Sequence, residues 1–186
     1  MPLRGKLLNR DGEIIDMQDR IGKVNQAVQT TGGREGKYLT FTLAGEEYGI
    51  GILKIREIIG MMPITSVPQA PDFVKGVINL RGKVIPVIDL RLRFGMPSMD
   101  YTERTCIIVV QINLQDTPLN IGIVVDSVSE VLNISGGDIE NAPTFGTQLN
   151  TSYILGMAKI EGGVKILLDI DKVLTENEIG MLEKAA

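Results

Sequence analysis

Between Tyr38 and Ile170 the chain alternates short apolar runs with glycine, proline and charged residues. Runs of this length, several with an apolar residue at every second position, predict β-strands. The runs are KYLTFTLAG, EEYGIGI, KGVINL, KVIPVIDL, TCIIVVQINL, LNIGIVVD, SEVLNI, YILGMAKI and GVKILLDI. Strands at this regular spacing predict a mainly β fold, built as barrels or as a sandwich.

Both ends of the chain show a helical period instead. Near the C-terminus a helix is predicted over about 171–184, with one apolar face made by Val173, Leu174, Ile179 and Leu182. Residues 1–36 are polar, but apolar residues recur there at steps of three and four, at Ile14, Met17, Ile21, Val24 and Val28. An isolated helix this short is marginal in water. This N-terminal extension is therefore expected to be a loosely held helix or a flexible arm.

The β region contains two similar units. Their matches fall at offsets of 73 and 80 and pair Gly49 with Gly122, Glu57 with Glu130, Gly76 with Gly156, Gly82 with Gly162, and Asp89 with Asp169. A duplication of this kind predicts two small barrels packed side by side, each too small to be stable alone. The first barrel is predicted over about 38–95 and the second over about 103–170.

The stretch KGVINLRGKVIPVIDL predicts a hairpin whose turn is Arg81-Gly82. The glycine supplies the positive φ that tight turns need. The second unit keeps this glycine as Gly162 but has Glu161 before it, so the turn does not require an arginine. Arg81 is either a solvated tip residue or a recognition residue, and the pattern alone leaves both open.

Composition narrows the class of protein. The 186 residues carry 19 basic and 23 acidic side chains, a net charge of −4, which argues against a nucleic-acid-binding protein. The single cysteine, Cys106, cannot form a disulfide within the chain and favours a reducing compartment. The sequence shows neither a signal peptide nor an apolar stretch long enough to span a membrane. We expect a soluble cytoplasmic protein.

Residue types that support catalysis are scarce. The chain has no histidine, no zinc-ligand spacing and no nucleophile motif, so neither an enzyme nor a bound metal or cofactor is predicted. The remaining enzyme hypothesis places Asp or Glu in a polar pocket on a barrel rim. In contrast, the loops at 61–73 and 140–153 combine proline with Met61, Phe73 and Phe145. Stiffened apolar loops suit protein contacts, unless they fold onto their own barrel.

Three stretches resemble the bacterial chemotaxis coupling protein family, CheW: YLTFTLAGEEYGIGILKIREI, FVKGVINLRGKVIPVIDLRLRFG and IGIVVDSVSEVL. The similarity runs from about Tyr38 to Leu182, so a CheW-like domain is expected over 37–182. It implies two SH3-like five-stranded β-barrels with a C-terminal helix. It also implies a non-enzymatic adaptor between chemoreceptor tips and the regulatory domain of the chemotaxis histidine kinase.

The resemblance also implies site residues and partners. A receptor-binding groove between the barrels would be formed by Ile55, Glu57, Gly76, Arg81, Val128 and Val131, with Ile55, Val128 and Val131 as its apolar floor. Phe145 would contact the kinase, although Glu140 stands where some family members have a basic residue. The chain would be cytoplasmic and recruited to membrane-associated receptor arrays, with no nucleic acid and no direct membrane insertion. The alternative is a CheW-like scaffold of another receptor-linked kinase pathway, such as surface motility or second-messenger control.

Overall fold

A computed structural model describes residues 6–8, 14–16, 33–143 and 151–185. Its first element is a small antiparallel hairpin of β1 (Lys6–Leu8) and β2 (Ile14–Asp16). The helical stripe predicted to start at Ile14 is wrong at that residue, because Ile14 pairs with Leu8 in this hairpin. The other predicted members of the stripe, Met17, Ile21, Val24 and Val28, lie outside the described residues.

The rest of the described chain forms two sheets, and the predicted mainly β fold is confirmed. The sheet of five, here called lobe A, contains β5 (Ile55–Gly60), β6 (Val74–Leu80), β7 (Lys83–Asp89), β8 (Cys106–Leu114) and β9 (Thr117–Val125) in the order β5-β8-β9-β7-β6. The sheet of six, lobe B, contains β3 (Gly36–Leu43), β4 (Glu46–Gly51), β10 (Ser127–Ile134), β11 (Ile139–Glu140), β12 (Ile154–Ile160) and β13 (Gly163–Leu168) in the order β10-β3-β4-β13-β12-β11.

Helices are few and short. Helix α1 (Leu90–Arg93) follows β7, and helix α2 (Glu176–Ala185) ends the described chain. Single 3-10 turns lie at Ile52–Lys54, Gly136–Asp138 and Ile170–Lys172. No helix in the described part of the chain is long and apolar enough to cross a lipid bilayer.

The two lobes exchange hairpins. Hairpin β3–β4 lies in lobe B, where β4 pairs in parallel with β13, and hairpin β8–β9 lies in lobe A, where β9 pairs in parallel with β7. The predicted barrel limits of 38–95 and 103–170 therefore do not match the strand pairing. Similarity between two units reveals the repeat, but it does not reveal which unit supplies the pairing partner of each strand.

The repeat itself extends to the strand register. Val87 lies opposite Gly122 in lobe A, and the equivalent pair in lobe B is Leu167 opposite Gly49. A Cβ atom added at Gly122 would lie 2.8 Å from Ile107 Cγ2, and one added at Gly49 would lie 2.9 Å from Leu167 Cδ2. Both glycines are therefore required by close packing across the sheet, which explains why the two units share them.

Each sheet buries both faces, as β8 shows. Ile108 and Val110 face a core shared by both lobes, together with Phe41 and Ile50 of lobe B. The intervening residue Val109 faces a smaller core within lobe A. Because strand side chains alternate between faces, burial on both sides requires the unbroken apolar run seen in the sequence.

Candidate functional site

The turn between β6 and β7 holds Arg81 in an unusual backbone conformation. Arg81 has a φ of 51° and Gly82 a φ of 82°, the pattern of a two-residue type I′ hairpin turn. The Asn79 side chain closes the turn by accepting a hydrogen bond from the Gly82 backbone N–H at 2.9 Å. A positive φ is unfavourable for a residue with a Cβ atom, so arginine at this position carries a conformational cost.

The Arg81 guanidinium forms a two-pronged ion pair with Glu57 on β5. Arg81 Nη1 lies 2.8 Å from Glu57 Oε1, and Nη2 donates to Oε2. The Arg81 side chain is 71% exposed, whereas that of Glu57 is only 13% exposed. Glu57 thus holds the guanidinium in a fixed orientation at the surface, and this fork-to-fork geometry is specific to arginine.

Lobe B has no equivalent of this ion pair among the described residues. The positions related to Arg81 and Glu57 by the repeat are Glu161 and Glu130, which have the same sign of charge. The Glu130 backbone instead exchanges hydrogen bonds with the Thr40 hydroxyl, at 2.8 Å and 3.1 Å. The Arg81–Glu57 pair is therefore a feature that lobe A adds to the common fold.

The predicted apolar floor is only partly accessible. Ile55 is 0% exposed in the shared core, and its predicted contact with a partner stays a prediction. Val128 and Val131 are partly buried on β10 and pack against the same core. A register shift separates Ile55 from Glu57 on β5, and another separates Val128 from Val131 on β10. Shifts of this kind re-aim side chains, which strict alternation from the sequence does not anticipate.

Gly76 is close to the chain's own backbone, not to a surface open to a partner. It has a φ of 140°, and an added Cβ atom would lie 2.0 Å from the Thr65 carbonyl oxygen. Thr65 and Val77 exchange backbone hydrogen bonds at 2.9 Å and 2.8 Å directly beside it. In this structure Gly76 admits the Thr65 segment that crosses lobe A, and its place in the receptor-binding groove stays a prediction.

Phe145, the predicted kinase contact, lies outside the described residues, but the segment before it is described. Glu140 pairs with Lys159 at 2.6 Å on the exposed surface of lobe B. Its neighbour Asn141 accepts a hydrogen bond from Arg34 Nη1 at 2.7 Å. Arg34 lies in the segment GGREG just before β3, and nothing in the sequence pattern singled out Arg34 or Lys159.

Burial shifts the pKa of one cysteine and one lysine in the described chain. Burial raises the pKa of the Cys106 thiol to about 12, so it stays protonated and unreactive at neutral pH. A cleft of about 320 Å³ lies between the ends of hairpins β3–β4 and β12–β13, where Lys165 is ion-paired with Glu47. Burial lowers the pKa of Lys165. Within the described residues, no group of three or more Cys, Asp or Glu side chains is placed to hold a metal ion.

Comparison with known proteins gives consistent matches. The CheW-like domain family matches residues 37–178. A chemotaxis protein CheW from Klebsiella aerogenes is 40% identical over 166 residues, which is 89% of this chain and 96% of that protein. A chemotaxis protein CheW from Rhizobium meliloti is 38% identical over 80% of this chain and 92% of its own length. The crystal structure of the scaffolding protein TtCheW from Thermoanaerobacter tengcongensis superimposes with a TM-score of 0.68 at 35% identity, covering 77% of this chain and 95% of that one.

Proposed function

The chain belongs to the CheW-like domain family, and on that premise we propose that it is a non-enzymatic adaptor that couples chemoreceptors to the chemotaxis histidine kinase. It binds the cytoplasmic tip of a receptor on one surface and the kinase regulatory domain on another. It works in the cytoplasm and is recruited to receptor arrays at the membrane. The resemblance to CheW expected from the sequence is confirmed by the family match and by relatives that align over most of their length.

The observation that carries the receptor half of this proposal is the ion pair of Arg81 with Glu57. Arg81 has a positive φ, which costs conformational energy for a residue with a Cβ atom. The corresponding turn of lobe B is Glu161-Gly162 and contains no arginine. Glu57, the more buried partner, already holds the Arg81 guanidinium in one orientation. Little side-chain entropy of Arg81 is therefore lost when the guanidinium binds a partner. Its exposed face is suited to a carboxylate or a helix C-terminal carbonyl on the receptor.

The apolar part of the receptor contact is assigned to Val128 and Val131. A receptor tip is a helical hairpin, and an amphipathic helix binds by placing its apolar side chains in a groove. The two valines are only partly buried, so part of each apolar side chain remains exposed for a partner to contact. Ile55 supports this surface from beneath, because it is buried in the core against which the two valines pack.

The kinase half of the proposal rests on the family relationship. It assigns Phe145 to the contact with the regulatory domain, together with the exposed surface around Glu140. Glu140 stands where some family members have a basic residue. In this chain Lys159 pairs with Glu140 and offsets its negative charge.

The test measures binding of the full chain to receptor-tip fragments and to the isolated kinase regulatory domain. Replacing Arg81 by alanine is expected to weaken receptor binding about tenfold or more, as loss of a central interface arginine does. The matched control is Glu161→Ala, which truncates the equivalent turn residue of the other lobe and leaves receptor binding unchanged. Receptor fragments assembled on vesicles are included because single contacts in an array are weak and act together.

Two results would overturn the proposal. One is a wild-type chain that binds neither partner, even in assembled complexes. The other is an Arg81→Ala variant that keeps the wild-type unfolding midpoint and the wild-type affinity for the receptor tip.

A further inference from the structure

The chain crosses between the two lobes at two places in its described part. The turn Ile52–Lys54 leads from β4 of lobe B to β5 of lobe A, and Asp126 leads from β9 of lobe A to β10 of lobe B. The repeat makes these crossings equivalent, because its offset of 73 places Ser127, the neighbour of Asp126, at the position of Lys54. Each crossing therefore connects a hairpin in one lobe to strands in the other lobe.

An ion pair holds the first crossing. Lys54 Nζ lies 2.5 Å from Oδ2 of Asp171, which lies in the 3-10 turn that follows β13 of lobe B. The other carboxylate oxygen of Asp171 accepts a hydrogen bond from the Asn113 backbone N–H at 3.0 Å, near the tip of hairpin β8–β9 of lobe A. The contact therefore joins the crossing to an element of each lobe.

A second ion pair holds the other crossing with its charges reversed. Arg91 Nε, in helix α1 after β7 of lobe A, lies 3.0 Å from Asp126 Oδ1. The other carboxylate oxygen of Asp126 accepts from the Ala44 backbone N–H at 2.8 Å, at the tip of hairpin β3–β4 of lobe B. Arg91 and Asp171 are equivalent at the repeat offset of 80. The pairs Lys54–Asp171 and Arg91–Asp126, here called the crossing clamps, are therefore equivalent contacts of opposite polarity.

The crossing clamps are partly shielded from solvent. The side chains of Arg91 and Asp126 are 13% and 16% exposed, and those of Lys54 and Asp171 are 33% and 30% exposed. Salt screens partly buried charges less than charges at the open surface, so repulsion between like charges would be felt here. A wrong charge at either clamp would therefore oppose the pairing that brings it there.

The reversed polarity matters because the strand pattern does not distinguish the two units. Two copies of the chain could in principle pair like with like, with hairpin β3–β4 of one copy beside strands β5, β6 and β7 of the other. Lys54 would then face Arg91 of the other copy in place of Asp171. In the same way, hairpin β8–β9 would bring Asp126 against Asp171 of the other copy. Both crossing clamps would then join like charges.

We propose that the crossing clamps select the pairing partner of each hairpin. They stabilise pairing between the two different units of one chain and oppose pairing between identical units of two copies, so the partner that they exclude is a second copy of this chain. Repulsion that arises only in the wrong complex is a general source of specificity. A shielded ion pair often adds little net stability, but it can decide which partners pair.

The test exchanges the charges of the two equivalent turn positions in the full chain. The crossed variant carries Arg91→Asp and Asp171→Arg, which keeps the net charge but places like charges in both clamps within the chain. Like-with-like pairing of two copies would then join opposite charges. After refolding from urea at high protein concentration, the dimer fraction should be at least about tenfold larger than in wild type. Size-exclusion chromatography with light scattering measures this fraction.

The matched control, the restored variant, adds Lys54→Asp and Asp126→Lys to the crossed variant. Both clamps then join opposite charges within the chain again, with inverted polarity and the same net charge. Its dimer fraction should return to the wild-type level, and its unfolding midpoint should exceed that of the crossed variant by about 5 °C. This recovery is expected even though the restored variant loses the hydrogen bond from Ala44 as well as that from Asn113.

The outcomes do not depend on the adaptor function, because the experiment uses neither receptor nor kinase. A crossed variant that folds and dimerises no more than wild type would overturn the inference, since the native pairing would then form against both repulsions. If the crossed variant does not fold, the restored variant decides. A restored variant that folds like wild type supports the inference, because restoring opposite charges restores the fold. An unfolded restored variant overturns it, because the side chains would then be required individually and not as pairs.

Discussion

Single residues decide how closely separate segments approach each other in both lobes. Gly76 admits the Thr65 carbonyl oxygen, and Gly156 admits Ile139 together with the Arg34 guanidinium. At Gly76 the neighbouring atoms are main chain and cannot rotate away, whereas flexible side-chain atoms are among the neighbours of Gly156. The tolerance of the two sites to a larger residue should therefore differ.

Gly76→Ala is expected to lower the free energy of unfolding by about 2–4 kcal/mol, because the new Cβ atom meets main chain at a positive φ. Gly95→Ala is the matched control, since Gly95 also has a positive φ but has no atom within 4 Å of an added Cβ. That variant should lose about 1 kcal/mol. Urea denaturation measures both. Equal losses in the two variants would show that the Thr65 crossing adds no constraint at Gly76.

The sequence predicted which glycine the hairpin turns require, but it did not predict which other side chains are buried. The repeat identified Gly82 and its counterpart Gly162 as required by their turns, and the positive φ of both glycines gives the reason. Burial of Ile55 was not predictable, because a register shift on β5 breaks the alternation from which exposure is inferred. Arg34 gave no signal, since its partners Asn141 and Leu155 are more than 100 residues away.

At the scale of elements, α2 shows how a local motif fixes where a helix begins. Thr175 and Glu178 form a capping box, in which the Glu178 carboxylate accepts from the Thr175 N–H at 2.7 Å and the Thr175 hydroxyl accepts from the Glu178 N–H at 3.3 Å. The helix was predicted over about 171–184 but begins at Glu176. The spacing Thr-x-x-Glu was present in the sequence and would have given the correct start.

Thr175→Ala is expected to destabilise the protein by about 1 kcal/mol, the usual cost of losing an N-cap hydroxyl. The effect reaches the core because Ile179 and Leu182 of this helix are buried with residues of both lobes. Asn177→Ala, at an exposed position of the same helix, is the control and should change stability by less than about 0.5 kcal/mol. Thermal unfolding followed by circular dichroism measures the difference, and equal midpoints for the two variants would contradict the capping role.

At the scale of the whole molecule, the exchange of hairpins makes the two halves of the chain interdependent. Residues 33–98 contain three strands of lobe A and the hairpin β3–β4 of lobe B. Neither lobe is complete within one half, and the largest core contains residues from both halves. The sequence predicted two lobes from matched Gly and Asp positions. It could not predict the exchange, because equivalent strands carry equivalent patterns whichever partner they pair with.

Splitting the chain in the exposed connection between α1 and β8 tests this topology. Fragments 1–98 and 99–186 are each expected to be unfolded alone, because each would leave parallel strand edges unpaired. Mixed together, they should assemble into a one-to-one complex with the strand content of the intact chain. Size-exclusion chromatography and circular dichroism report the result. A fragment that folds alone into a stable monomer would contradict the exchanged pairing.

The exchanged hairpins also constrain what a single repeat unit can be. A chain with only one copy of the unit would have a hairpin and three further strands. The hairpin and the three strands would not pair with each other, because in this fold they belong to different lobes. Such a chain can satisfy its strand edges only by giving its hairpin to a second identical chain and receiving one in return, as in a domain-swapped dimer. The fold is therefore the one that a two-fold dimer of the unit would have if its subunits were joined end to end, and the joining lets the two lobes carry different residues at Arg81 and Glu161.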